Sequence, residues 1–222
     1  KMKFYKLFSI QFAFLLLFLV SCSKDDTPAK SDPVAPVEET IAWPLATPKL
    51  KVVGKYLKDP CGNIVNLHGV AMTPSPWFNG GAVGEWRWNN YDVAGCLKYN
   101  KSIMDKLSDA KQGWYLNYVR LHIDPYWTNN LGVSGIQEND ISQFNVDRFK
   151  DAIDKVILPL IAHAKTRGMY IILRPPGVCP EHIAVGDAYQ NYLKVIWDYI
   201  SKHPSLKNSD HVMFELANEP VR

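Results

Sequence analysis

Chemistry concentrates in one stretch near the end of the sequence, His211-Val212-Met213-Phe214-Glu215-Leu216-Ala217-Asn218-Glu219-Pro220. An apolar run there closes on a carboxylate, with an amide on one side of it and a proline on the other. Stripping water from an isolated carboxylate at the end of a core strand is costly unless the group is paired or used. Such a setting favours the protonated form, which is the form a general acid uses. Glu219 is therefore read as a proton donor, and the upstream elements are read as the scaffold that delivers it.

Those elements alternate. Leu50-Lys51-Val52-Val53 and Ile64-Val65-Asn66-Leu67 read as short strands around the turn residues Asp59-Pro60-Cys61-Gly62-Asn63, and Leu67 to Met72 as a buried strand. A long aromatic-rich loop is expected from Thr73 to Tyr99, a length usually tied to function. Ser102 to Gln112 predicts a short amphipathic helix closed by Gly113, and Tyr115 to Ile123 a strand. Asn145 is a plausible N-cap for a helix whose stripe runs through Val146, Phe149, Ile153, Val156, Leu160 and Ala164 to Gly168 at C′. Pro159 inside it predicts a kink or local break. Met169 to Leu173 is almost continuously apolar, as strands of parallel sheets are. Asp187 and Gln190 form a capping-box pattern ahead of a helix stopped by Pro204.

Four strands, each joined to the next through a helix, predict an α/β fold with a parallel sheet. No Gly-rich phosphate loop follows the first strand, so a nucleotide fold has no support. Polar and aromatic candidates collect after every strand instead: Trp77, then His122 and Asp124, then Arg174, then Glu219. That habit belongs to a (β/α)8 TIM barrel, of which the first four βα units, to the end of the fourth strand, are expected here.

The sequence has 222 residues, 12% aromatics with 7 Trp, and a formal charge of +3. Lys1, Lys3 and Lys6 account for all of that excess, and no acid occurs among residues 1–21, so the remainder is formally neutral. A neutral chain argues against nucleic acid as a partner. The basic start and the apolar run from Phe8 to Val20 read as a signal peptide too short to span a bilayer. Leu19-Val20-Ser21-Cys22 resembles a bacterial lipobox, with Cys22 lipidated, and Ser23-Lys24-Asp25-Asp26 resembles an acidic surface-export signal. The expected location is the outer membrane, through a lipid anchor, facing outward. Residues 22–48, with five prolines, read as an extended tether, and residues 49–222 as the N-terminal half of the barrel domain. Lys1 before Met2, and an end two residues after Pro220, fit a piece of a longer reading frame. Cys61, Cys96 and Cys179 leave open either one disulfide and a free thiol or three free thiols.

From Leu50 to Pro220 the chain resembles glycoside hydrolase family 5, retaining β-glycanases on the same barrel. The likeness rests on Leu67-His68-Gly69-Val70, on Asn117-Tyr118-Val119-Arg120-Leu121, and on Phe214-Glu215-Leu216-Ala217-Asn218-Glu219-Pro220. It implies that Glu219 is the acid/base, that Asn218 holds the sugar 2-hydroxyl, and that Arg120 supports the nucleophile, a second Glu beyond this chain. Many members carry Asp-x-His on the third strand, where this sequence reads Leu173-Arg174-Pro175-Pro176-Gly177; either Arg174 takes a substrate-facing role in its place or the sugar is bound differently. No cofactor is implied.

Glu215 and Glu219 lie four residues apart, about 13 Å along an extended strand. Retaining pairs need about 5 to 5.5 Å and inverting pairs about 6.5 to 9.5 Å, so the two are not the catalytic pair. Glu215 shares parity with Glu219 and is expected as an inward partner for Arg120. Among Trp77, Phe78, Trp86, Trp88, Tyr126 and Trp127, one or two are expected to be sugar platforms, with Trp77 and Trp127 favoured. His122 is a candidate substrate contact, Asp124 is structural, and two donors do not make a metal site. His68 is expected as a core histidine. The predicted function is hydrolysis of plant cell-wall β-glucan, mannan or xyloglucan; the alternative is an inactive barrel that only captures glycan at the surface.

Overall fold

The structure is a computed structural model that describes residues 46–76, 78, 91–130, 141–179 and 186–220, all within the compact unit Glu39–Arg222. The signal segment, Cys22, the tether and Trp77, Trp86 and Trp88 lie outside the described residues.

A two-stranded antiparallel hairpin comes first, β1 (Lys51–Val53) paired with β2 (Tyr56–Lys58). The expected partner, Ile64 to Leu67, is not a strand; only Ile64 bridges back, to Lys58. Gly54 explains the difference: its φ of 61° turns the chain straight after β1, so Tyr56–Lys58 takes the partner position. The turn expected at Asp59 also forms. The Asp59 carboxylate accepts from the Asn63 backbone N–H at 2.8 Å and from the Asn63 amide at 3.0 Å, which turns the chain after Lys58. The Tyr170 hydroxyl donates to the Pro48 carbonyl at 2.7 Å and so ties the segment leading into the hairpin to the main sheet.

That sheet is parallel, with β3 (Gly69–Met72), β4 (Tyr118–His122), β5 (Tyr170–Arg174) and β6 (Val212–Phe214) side by side in chain order. Helix α1 (Val93–Ser108) joins β3 to β4; α2 (Pro125–Thr128), α3 (Val146–Ala152) and α4 (Leu158–Thr166) lie between β4 and β5; α5 (Ala188–Lys202) leads to β6. Neighbouring parallel strands connected through helices in strict succession are the (β/α)8 arrangement, of which these residues form four strands.

The register decides what each face carries. Ala71, Arg120, Ile172 and Met213 stand in one row, and His122 and Arg174 in the row above. On the opposite face Val119, Leu121, Ile171 and Leu173 are fully buried in one cluster with Met104, Phe149, Leu160 and Ile196 of the helices. The two-residue period of a strand thus puts an apolar face under the helices and a mixed one, carrying Arg120, His122 and Arg174, on the inside.

Helix α1 begins much earlier than expected, and the predicted loop from Thr73 to Tyr99 is correspondingly shorter. Asp92 caps it, accepting from the Gly95 backbone N–H at 2.8 Å. Its buried stripe is Cys96, Asn100, Met104 and Ser108, and two polar members hide the pattern in the sequence. Asn100 donates to the Cys96 carbonyl at 2.8 Å and Ser108 to the Met104 carbonyl at 2.7 Å, so neither is buried unsatisfied.

Asn145 caps α3 as expected, accepting from the backbone of Asp147 and Arg148. The break expected from Pro159 takes the form of a π-helical turn over Ile153–Ile157. Proline has no N–H to give and its ring crowds the carbonyl four residues back; a wider turn relieves both. Asp187 caps α5 through the Gln190 N–H at 2.8 Å, while the Gln190 side chain accepts from Gly186 N–H at 2.5 Å. The capping box therefore closes one residue upstream of its usual donor.

Candidate active site

The inner face of the sheet ends in Arg120 and His122 on β4, Arg174 on β5, and Glu215, Asn218 and Glu219 just past β6. Arg120 is held at two points by Glu215, Nε to Oε2 at 2.7 Å and Nη2 to Oε1 at 2.5 Å. Nη2 also donates to Asn218 Oδ1 at 2.8 Å. The inward pairing expected of Glu215 is thus present, although the pair is only partly shielded, with side chains 34% and 21% exposed.

Strand β6 stops at Phe214, and residues 216–219 form a run of bends. The parity and extended spacing assumed for Glu219 therefore do not apply. Arg120 engages both oxygens of Glu215. Glu219 takes a left-handed backbone, φ 50°, unusual for a residue with a side chain. It is exposed rather than desolvated, so the expected apolar surround is not found. Its carboxylate nonetheless contributes to the field on Arg120.

Asn218 is completely buried. Its carbonyl oxygen accepts from the Cys179 backbone N–H at 2.8 Å, which fastens this loop to the one after β5. Its Nδ2 has no hydrogen-bond partner among the described residues. A buried amide left half satisfied is costly.

His122 is buried, with Nδ1 3.4 Å from the Thr73 hydroxyl and Nε2 without a partner among the described residues. Burial pushes it down to about 3, helped by the charges of Arg174 and Arg120, so the ring is neutral at ordinary pH. Arg174 donates through Nη2 to the Gly177 carbonyl at 3.1 Å, bracing the Pro175-Pro176 turn.

Trp127 is no platform. It is 5% exposed, its indole N–H donates to the Pro74 carbonyl at 2.5 Å, and Tyr91 packs edge-on against it at 5.2 Å. Asp124 caps α2 through the Tyr126 N–H, a structural task as expected. His68 is exposed, not a core residue. Cys61, Cys96 and Cys179 are all free thiols. Among the described residues no cluster of His, Cys, Asp or Glu could hold a metal ion.

Two neighbours escaped the sequence reading as site residues. Thr73 follows β3 and supplies the His122 contact. Tyr189 on α5 is buried, its hydroxyl has no partner among the described residues, and burial pushes it up to about 12. Nothing in a stripe of apolar spacing distinguishes a tyrosine that packs from one whose hydroxyl has work to do.

Residues 79–222 match the family model described as cellulase, glycosyl hydrolase family 5. No curated protein matches the chain. Among solved structures, the chain is similar to "Cellulase Cel5C_n" at 21% identity and TM-score 0.44, over 78% of this chain and 43% of that one. It is also similar to a "Glycoside hydrolase" at 14% identity and TM-score 0.41, over 76% and 33%. The chain thus spans less than half the length of the solved structures it matches.

Proposed function

The chain belongs to the cellulase family, glycosyl hydrolase family 5, and from that premise we propose that the whole protein is a retaining endo-β-glycanase. It cleaves O-glycosidic bonds of plant cell-wall β-glucan, mannan or xyloglucan. Glu219 protonates the leaving oxygen and later activates water. The nucleophile is a second glutamate contributed by sequence following Arg222, and residues 1–222 alone are inactive. Asn218, Arg174 and His122 surround the sugar, with Trp77 as a stacking platform. The observation that carries the reading is the buried, unpartnered Nδ2 of Asn218 beside an exposed Glu219, at the carboxyl ends of parallel strands. A buried donor that lacks an acceptor next to an accessible acid suits a hydroxyl-rich substrate.

The protein is lipidated at Cys22 and held at the outer membrane, with residues 22–48 as the tether. Cys22→Ser is expected to release it from the membrane fraction; retention of that variant there overturns the anchor.

In the protein carrying the complete family domain, Glu219→Gln is expected to lower kcat by about 10² to 10⁴ while glycan binding persists. Turnover like that of wild type removes the assignment. A wild type that binds glycan without cleaving it establishes the capture-only alternative.

A further inference from the structure

Arg120 is a donor-only group, so its contact with Asn218 admits one orientation of that amide. The oxygen faces the guanidinium at 2.8 Å and Nδ2 faces away, buried and unpartnered. The Asn218 backbone is fastened separately, through the Cys179 N–H. What remains to be fixed is the turn of the amide about its own axis, and Arg120 fixes it. Arg120 is in turn set by Glu215, whose two oxygens meet the Nε and Nη2 edge of the guanidinium. Such a two-point contact constrains the plane of the guanidinium as well as its position. The side chain of Arg120 is a third exposed, so packing alone does not hold it.

We propose that Glu215 is a positioning residue: by clamping Arg120 it fixes the Asn218 amide so that Nδ2, not Oδ1, is presented as a donor to one ring hydroxyl of the bound sugar. The identity of the ligand rests on the glycanase reading above, whereas the relay rests on the three hydrogen bonds. A glutamine at position 215 keeps the shape but offers one acceptor and one competing donor. The guanidinium then turns, Asn218 loses its fixed partner, and the amide samples both orientations.

The test compares wild type, Glu215→Gln and Asn218→Ala in the protein carrying the complete family domain. Substrates are an oligosaccharide and analogues lacking one ring hydroxyl at a time at the cleaved sugar. Wild type is expected to discriminate sharply against one analogue, and Asn218→Ala to lose that discrimination. Glu215→Gln is expected to lose it as well, with kcat on the parent lowered about 10- to 100-fold and KM little changed. If Glu215→Gln keeps the discrimination of wild type, or slows parent and analogue equally, the relay is wrong.

An independent readout is the side-chain amide resonance of Asn218 in protein labelled with nitrogen-15 at asparagine, identified by its absence from Asn218→Ala. Glu215→Gln is expected to shift or broaden it, and an unchanged resonance overturns the proposal. A wild type without hydrolytic activity removes the glycanase reading alone, and the resonance then decides the relay. Should Glu215→Gln not fold, Arg120→Lys breaks the same two-point contact and is read in the same way.

Discussion

Gly69→Ala gives the sharpest test of how closely β3 approaches β4. Gly69 stands opposite Tyr118, and a Cβ added there would lie 2.0 Å from the Tyr118 carbonyl oxygen, 2.6 Å from its Cδ1 and 2.8 Å from its carbonyl carbon. Ordinary van der Waals contact begins at 3.4 Å, so the methyl overlaps the main chain by 1.4 Å. A backbone oxygen cannot rotate aside; the strands have to separate. Strand β3 is only four residues long and has β4 as its one partner among the described strands, so a shift of this size weakens much of its pairing. Overpacking costs about 1 to 3 kcal/mol, and each ladder hydrogen bond contributes about 1 kcal/mol net. Together these give a loss of roughly 3 kcal/mol, or about 6 to 12 °C in Tm for a domain of this size. Gly113→Ala is the control. Its Cβ would meet nothing within 4 Å, and only its left-handed φ of 76° is penalised, at about 1 to 2 kcal/mol. Calorimetric unfolding of the two variants separates close approach from the general cost of losing a glycine. A Gly69→Ala protein that melts within about 1 °C of wild type refutes the reasoning.

Other outcomes follow from the same packing. Arg120→Met leaves the Glu215 carboxylate and Asn218 Oδ1 without their donor. For a pair this partly exposed the cost lies between those of surface and buried bridges, about 2 kcal/mol. A double-mutant cycle with Glu215→Leu measures it, and zero coupling contradicts the pairing. His122 lies below its ordinary value of 6.5 in the folded protein, so as pH falls the unfolded chain takes up the proton first. Its contribution is full above about pH 6.5 and lost as pH falls towards about 3, by at most about 1.4 kcal/mol per pH unit. His122→Gln is expected to flatten the decline of Tm between about pH 7 and about pH 4; parallel profiles for variant and wild type would count against a buried neutral ring. Trp127→Phe removes the indole donor to Pro74 and is expected to cost about 1 to 3 kcal/mol without changing glycan affinity. A selective loss of affinity would instead make Trp127 a binding residue.

The strand and helix order was legible because apolar spacing reports which face is buried, and parallel strands read as continuous apolar runs. Tyr170 to Leu173, the Asn145 cap and the break near Pro159 all follow from local chemistry that needs no distant partner. The errors have the opposite origin. Helix α1 was truncated because Asn100 and Ser108 sit on its buried face, made tolerable by bonds to their own helix. Strand β2 was misplaced because Gly54 turns the chain before the Asp59 turn is reached. Trp127 and His68 were misjudged because burial depends on which loops cover a residue.

The sequence alone determined that an acid, an amide and an arginine are spaced to meet at the carboxyl ends of parallel strands. Alternation is enough to put Arg120 and His122 on one face of their strand, since side chains two apart share a face, while Asn218 and Glu219 were placed by the family motif. The sequence also paired Glu215 with Arg120, 95 positions apart; only the tertiary structure decided that the same guanidinium reaches Asn218 Oδ1 and so sets the turn of that amide, and that Glu219 leaves the strand altogether. Hydrogen bonds between distant segments are set by register and loop closure, quantities to which local periodicity is blind.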